Sequence, residues 1–381
     1  MGIQVNDTGL NMQTRRQFLN LTAMGPLVPS VLKNRKDRGK TSAVARYYRK
    51  LEGNRVQCDL CPWHCVVSPG ERGHCQVREN RHGTYYSLVY GRISAYHNDP
   101  VEKKPFFHFM PGTSAFSIAS VGCNVDCKFC QNWEIARRSL DEVPFAAFTP
   151  DYVVRYAVSA GSKSIAFTYN EPTVSTEFMY DVADIAHDKG IGNLVVSNGF
   201  INEKPLKDLC RKVDAYKIDL KSFDESYYRD VVHGRLNPVL DTIVRLRSYG
   251  IWTEIVYLVV PTLNDDPERI KAMAQWLYKE AGPDVPVHFS RFYPRYRLRN
   301  LPPTPVSTIE TCKKIALDAG MHYVYVGNIP GNRGEHTYCP QCGNRVIERI
   351  GYTVTSMNLK NGRCGTCGHE IPGRWEDYNE S

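Results

Sequence analysis

From Ser114 to about Gly327 short apolar runs alternate with amphipathic stretches. The runs AFSIAS (115–120), SIAFTY (164–169), NLVVS (193–197), AYKIDL (215–220), WTEIVYLVV (252–260), VHFSRF (287–292) and HYVYV (322–326) have the length and the branched or aromatic content of buried strands. Between them DYVVRYAVSA, STEFMYDVADIAHDKG, NPVLDTIVRLRSYG and DPERIKAMAQWLYKEAG read as helices, and several stop at a glycine, as helix C-termini do. This alternation predicts an α/β fold, a parallel sheet curled into a full or partial (β/α) barrel. Working residues of such a fold lie at the C-terminal ends of strands and in the loops that follow them.

Outside residues 113–330 the pattern changes three times. Residues 1–50 carry no convincing fold. Thr14-Arg15-Arg16-Gln17-Phe18-Leu19 resembles a twin-arginine export signal and is followed by the modestly apolar LNLTAMGPLVPSVL. Between Leu32 and Lys50 eight basic residues face one acid, Asp37, and this linker accounts for most of the net charge of +8. A nucleic-acid partner is therefore not needed to explain the charge. Residues 51–112 hold a cysteine knuckle, then TYYSLVYGRISAY (84–96), which reads as a hairpin, and the loop DPVEKKPFFHFMPG (99–112). Residues 331–381 form a C-terminal module, and no apolar run is long enough to span a bilayer.

Thirteen cysteines fall into three clusters plus Cys210 and Cys312, which lie in helix-like stretches as small buried hydrophobes. Spacings of C-x2-C and C-x3-C are those of metal ligands rather than of a disulfide framework, and imply assembly in the cytoplasm. Cys339, Cys342, Cys364 and Cys367 form C-x2-C, 21 residues, C-x2-C, with a glycine after each pair, the pattern of a zinc ribbon. Cys58, Cys61, Cys65 and Cys75 describe a second metal knuckle, with His64 and His74 as substitute ligands. Zinc and an iron–sulfur cluster both fit it. In GCNVDCKFCQNW (122–133), Cys123, Cys127 and Cys130 can wrap one inorganic centre but have no fourth ligand nearby. The spacing alone also suits structural zinc. A [4Fe–4S] cluster held by three cysteines instead leaves one iron open to a small molecule.

This cysteine loop resembles that of the radical S-adenosylmethionine (SAM) superfamily. CDLCPWHC, DPVEKKPFFHFMPG, FSIASVGCNVDCKFCQNW, TYNEPT, YKIDLKSFD, VVPTLND, CPQCG and IPGRW together resemble the radical SAM proteins of the AmmeMemoRadiSam system, related to pyruvate formate-lyase activating enzymes. The resemblance spans about residues 55–375. It implies that SAM chelates the open iron of a [4Fe–4S] cluster on Cys123, Cys127 and Cys130. One-electron cleavage then releases methionine and a 5′-deoxyadenosyl radical that abstracts hydrogen from a substrate.

On this reading Glu171 suits the SAM ammonium, Ser197 and Asn198 the ribose or carboxylate, Lys221 the carboxylate, and Asp219 the ribose or Lys221 itself. Phe129 packs on the adenine, and Asn170 and His288 complete the mouth. Tyr169-Asn170 stands where many members have two glycines. The implied partners are an electron donor such as ferredoxin or flavodoxin and a substrate that is either a glycine of a partner enzyme, as for the activases, or another molecule. No ferredoxin-like cysteine insertion follows the cluster loop. A non-catalytic metal-stabilised scaffold and an RNA-modifying enzyme are the alternatives. SAM and a low-potential reductant place the chemistry in the cytoplasm, against the export signal.

Overall fold

The computed structural model describes residues 41–375, so the twin-arginine-like stretch lies outside the described residues. The described residues all belong to one compact unit.

Its centre is an eight-stranded sheet of β1 (Ala95–Pro100), β2 (Ser114–Ala119), β3 (Ser164–Phe167), β4 (Gly192–Ser197), β5 (Ala215–Asp219), β6 (Trp252–Val259), β7 (Val287–Arg291) and β8 (Val324–Gly327). The strands lie side by side in chain order. β1 is antiparallel to β2, and β2 to β8 are parallel throughout. The crossovers contain α1 (Pro150–Ser159), α2 (Thr176–Asp188), α3 (Glu203–Leu209), α4 (Leu236–Ser248), α5 (Pro267–Glu280) and α6 (Val306–Asp318). Thr149 and Asp266 cap α1 and α5 by accepting from Tyr152 N and Glu268 N, and Pro150 and Pro267 follow at the position where a missing N–H costs nothing. The chain order is that of a (β/α) barrel, but β1 and β8 remain edges and the sheet is open.

Alternation along the strands sorts side chains onto two faces. Phe116, Ile118, Ile165, Phe167, Val195, Ile218 and Ile255 join one core with Val153, Val182, Leu206, Ile243, Met273 and Ile309 of the helices. Ala115, Ala166, Leu194, Ala215 and Trp252 face the other way and close on Val101, Phe106 and Phe109. Ala115, Ala215 and Trp252 come from the beginnings of their strands, so the segment 101–112 plugs that end of the sheet. It is a packed floor rather than the simple loop expected. Further along the same face the buried residues are polar: Ser117, Lys217, Glu254 and His288. Both faces are covered, which is why the strands read as nearly continuous apolar runs.

The expected hairpin over 84–96 is divided. Thr84–Ser87 pairs back with Arg78–Arg81 and with Ala43–Val44, whereas Ala95–Pro100 joins the main sheet as β1. Gly91, at φ +68°, turns the chain between them. Cys58, Leu60, Val56, Val67 and Tyr85 form a small core under the first cysteine knuckle. At the other end of the chain Thr337–Tyr338, Arg345–Ile350 and Thr353–Met357 form a meander. It docks on the plug: buried Arg349 donates to Phe107 O (2.7 Å) and Thr337 Oγ1 (2.8 Å), and its guanidinium lies 4.1 Å from the Phe107 ring centre.

Candidate metal centre and active site

The loop 120–132 leaves the C-terminal end of β2 and carries Cys123, Cys127 and Cys130. Neighbouring strand ends hold it. Asn170 Nδ2, from the loop after β3, donates to Gly122 O (2.9 Å) and Ser120 Oγ (3.2 Å). Asn198 Nδ2, after β4, donates to Asn124 Oδ1 (2.9 Å) and lies 3.7 Å from Cys123 Sγ. Asn124 Nδ2 in turn donates to Phe200 O (2.7 Å). Glu171 ties these loops together: its carboxylate accepts from Thr173 N (3.0 Å), Ser197 Oγ (2.8 Å) and Asn198 N (2.8 Å). A carboxylate has about four acceptor sites, so these three bonds leave one. Burial raises the pKa of Glu171, and these hydrogen bonds oppose the rise.

A second group lies on the other side of the cysteines. Asp219, at the end of β5, accepts from Lys221 Nζ (2.8 Å) and from Lys217 Nζ. Burial alone would raise the Asp219 pKa, but the two ammonium charges hold it well below the usual carboxylate range. Lys221 lies near Cys127 and Cys130, and its Nζ is 5.8 Å from the Phe129 ring centre. Phe129 also stacks on Tyr227 at 6.2 Å. Asn264, of the VVPTLND stretch, donates to Lys221 O (2.8 Å) and so joins the loop after β6 to this group.

The loop after β7 covers the cluster loop. Arg297 N donates to Lys128 O (2.9 Å), Arg297 Nη1 meets Asp126 at 3.1 Å, and Tyr296 stacks on Trp133 at 5.2 Å.

His288 does not join these residues. Its Nε2 donates to Glu254 Oε2 (2.7 Å), and its ring lies against Phe107 and Tyr325, facing the floor. Glu254 is already committed to the plug, accepting from Phe107 N (3.0 Å), His108 N (2.9 Å) and Trp252 Nε1 (3.1 Å). Sequence reasoning missed Asn124, Lys217, Asp99 and Lys104. Tyr169, with φ +68°, sends its hydroxyl down to Asp99 and within 3.4 Å of Lys104 Nζ, while its carbonyl accepts from Asn132 (2.7 Å). Asp99 and Lys104 lie some seventy residues from Tyr169 in sequence, and no spacing pattern announces such a contact.

Cys339, Cys342, Cys364 and Cys367 come together with all four sulfurs within 4.8 Å of one another. The pairs Cys339–Cys367 and Cys342–Cys364 stand 3.6 and 3.8 Å apart. Four sulfurs bonded tetrahedrally at about 2.3 Å to one zinc ion would lie about 3.8 Å apart. The donor set and spacing fit a single metal ion.

A three-cysteine loop at the C-terminal ends of a parallel α/β sheet, braced by buried polar groups from successive strands, has the donor set to hold a metal cluster. The comparisons agree. Residues 117–276 match the radical SAM superfamily model. The uncharacterized protein MJ0808 of Methanocaldococcus jannaschii is 43% identical over 329 residues, covering 86% of this chain and 98% of that protein. The pyruvate formate-lyase-activating enzyme of Clostridium pasteurianum is 22% identical over 157 residues, 40% of this chain and 65% of that enzyme. The benzylsuccinate synthase activating enzyme of Thauera aromatica is 27% identical over 150 residues, 39% and 42% of the respective chains. The chain belongs to the radical SAM superfamily. That family implies a [4Fe–4S] cluster and SAM, and the three cysteines with one remaining acceptor on Glu171 fit such a pair. No helix among the described residues is long and apolar enough to cross a membrane.

Proposed function

We propose that the protein is a radical SAM enzyme that abstracts hydrogen from a substrate. The observation that supports this most is the convergence of Cys123, Asn170, Glu171 and Asn198 through one hydrogen-bond network at the C-terminal strand ends. When bound, the [4Fe–4S] cluster and SAM supply the one-electron cleavage that yields methionine and a 5′-deoxyadenosyl radical; the protein binds, orients and keeps water out. Cys123, Cys127 and Cys130 hold the cluster. Asn198 and Asn124 fix the loop around Cys123, and Glu171 fixes Asn198 while keeping one acceptor for the SAM ammonium. Lys221, oriented by Asp219, offers its charge to the SAM carboxylate, and Phe129 beside it offers a face to the adenine. Ser197 acts through Glu171, and Asn170 through Gly122. Cys339, Cys342, Cys364 and Cys367 hold zinc in a structural role.

The substrate is a protein on the activase reading, which the two activating-enzyme relatives favour. The loop after β7 carries Arg295, Arg297 and Arg299, all exposed, and Arg297 pairs with Asp126 of the cluster loop, which supports an approach of a partner chain from this side.

The test is anaerobic reconstitution with iron and sulfide, then reductant and SAM, with 5′-deoxyadenosine measured beside a Cys127→Ala control. Product in the wild type and none in the control is the expected result. A loaded cluster that neither binds SAM nor yields product would leave a metal-stabilised scaffold instead.

A further inference from the structure

Cys58, Cys61, Cys65 and Cys75 play no part in the site above, yet the fold gathers them. Cys58 N donates to Cys65 O (2.9 Å) across a hairpin, and His74 N donates to Cys65 Sγ (3.4 Å), which brings the Cys75 arm against it. A Cβ at Gly73 would stand 2.6 Å from Tyr85 Oη and 3.7 Å from Cys65 Sγ, so the arm can approach only as bare backbone.

The four are nevertheless set wider than the C-terminal quartet. Among the described residues only Cys339, Cys342, Cys364 and Cys367 place sulfurs within 4.8 Å of one another. Neither the knuckle nor the radical-site trio forms such a group, and sulfurs that bind separate irons of a cluster need not stand as close as sulfurs that share one ion.

The knuckle also grips both neighbours of Cys123. On one side, a Cβ at Gly122 (φ +100°) would fall 2.6 Å from Val77 Cγ1 and 3.1 Å from Cys75 O, so the two backbones touch. On the other, Trp63 Nε1 donates to Asn124 O (2.6 Å), and the Trp63 ring lies 4.6 Å from that of His74. Cys127 of the trio and Cys58 of the knuckle are buried, and the other cysteines of both groups are partly exposed.

From this geometry we propose that Cys58, Cys61, Cys65 and Cys75 hold a second [4Fe–4S] cluster, through which electrons reach the cluster on Cys123, Cys127 and Cys130. One electron enters from a low-potential donor of the ferredoxin or flavodoxin class, reduces the outer cluster, and passes to the inner one as the outer is reoxidised. No bond is made or broken and no proton moves. The relay rests on the radical SAM reading of the inner site; the outer cluster itself does not.

The test compares reconstituted wild type, the triple variant Cys123/Cys127/Cys130→Ala and the quadruple variant Cys58/Cys61/Cys65/Cys75→Ala by iron, sulfide and zinc content and by electron paramagnetic resonance after reduction. The expected iron contents are about eight, four and four per chain. The triple variant keeps a cluster signal that SAM leaves unchanged, and the quadruple variant keeps the one that SAM perturbs. Zinc without sulfide at the quartet of the triple variant overturns the proposal. Failure of the inner-site reading would show separately, as a quadruple variant whose signal ignores SAM. If the quadruple variant does not fold, Cys61→Ser serves: it should shift only the SAM-insensitive signal and slow reduction of the inner cluster by reduced flavodoxin by an order of magnitude or more. An unchanged spectrum overturns ligation by Cys61, and an unchanged rate overturns the relay.

Discussion

Glu171 carries more of the site than its place in a short TYNEP motif suggests. Three donors from two loops converge on its carboxylate, and one of them, Asn198, braces the cluster loop through Asn124. A glutamine there would turn an amide donor toward a buried donor. Glu171→Gln is therefore expected to lose about 1–3 kcal/mol of stability in denaturant unfolding and to weaken SAM binding, with iron content retained. Loss of SAM binding with stability unchanged would point to a direct ligand only. The cysteine trio, Asn198, Asp219 and Lys221 were legible because their spacing and their strand-end positions are local. Asn124, Lys217 and the Asp99–Lys104–Tyr169 group were not, because their partners are set by which strands become neighbours.

At the scale of elements, the plug between β1 and β2 and the C-terminal meander hold one another. Arg349 is fully buried, with Glu102 at 3.6 Å and Phe107 O at 2.7 Å. Replacing it by methionine removes one partner of a buried pair, and a loss of about 3 kcal/mol is expected, less if Glu102 takes up a proton. Limited proteolysis should then cut the variant between residues 331 and 375 first. On the proposed reading that the C-terminal quartet holds a metal, a chelator should expose the same segment in the wild type while 5′-deoxyadenosine formation persists in the intact chain, because the meander that carries Cys339 and Cys342 docks at the floor and not at the mouth. Sequence pattern missed this partnership: DPVEKKPFFHFMPG reads as a loop by its prolines and glycine, and only the floor of the sheet gives Phe106 and Phe109 something to cover.

For the whole molecule, the polar groups buried between sheet and plug set a pH limit. His108 Nδ1 faces the Pro372 carbonyl (2.7 Å), an acceptor, and therefore carries the proton; Nε2 accepts from Tyr325 Oη (2.6 Å). Burial pushes its pKa down to about 4, although Glu254 opposes this, and burial lowers His288 as well. The unfolded chain takes up these protons near pH 6.5 and the native chain does not. Stability is then complete above about pH 6.5 and falls as pH drops toward 4, by an amount on the order of 3 kcal/mol from His108 alone. Thermal unfolding midpoints across this range should fall, and should fall less in His108→Asn; a flat profile would contradict the neutral assignment. The sequence by itself determined the α/β class, seven strand positions, the three cysteine clusters and the superfamily, since periodicity and ligand spacing are properties of neighbouring residues. Only the tertiary structure decided that the sheet stays open, that His288 turns to the floor, that one quartet closes to single-ion spacing, and that the first knuckle grips the cluster loop. Those outcomes depend on contacts between residues far apart in the chain, which no local pattern encodes.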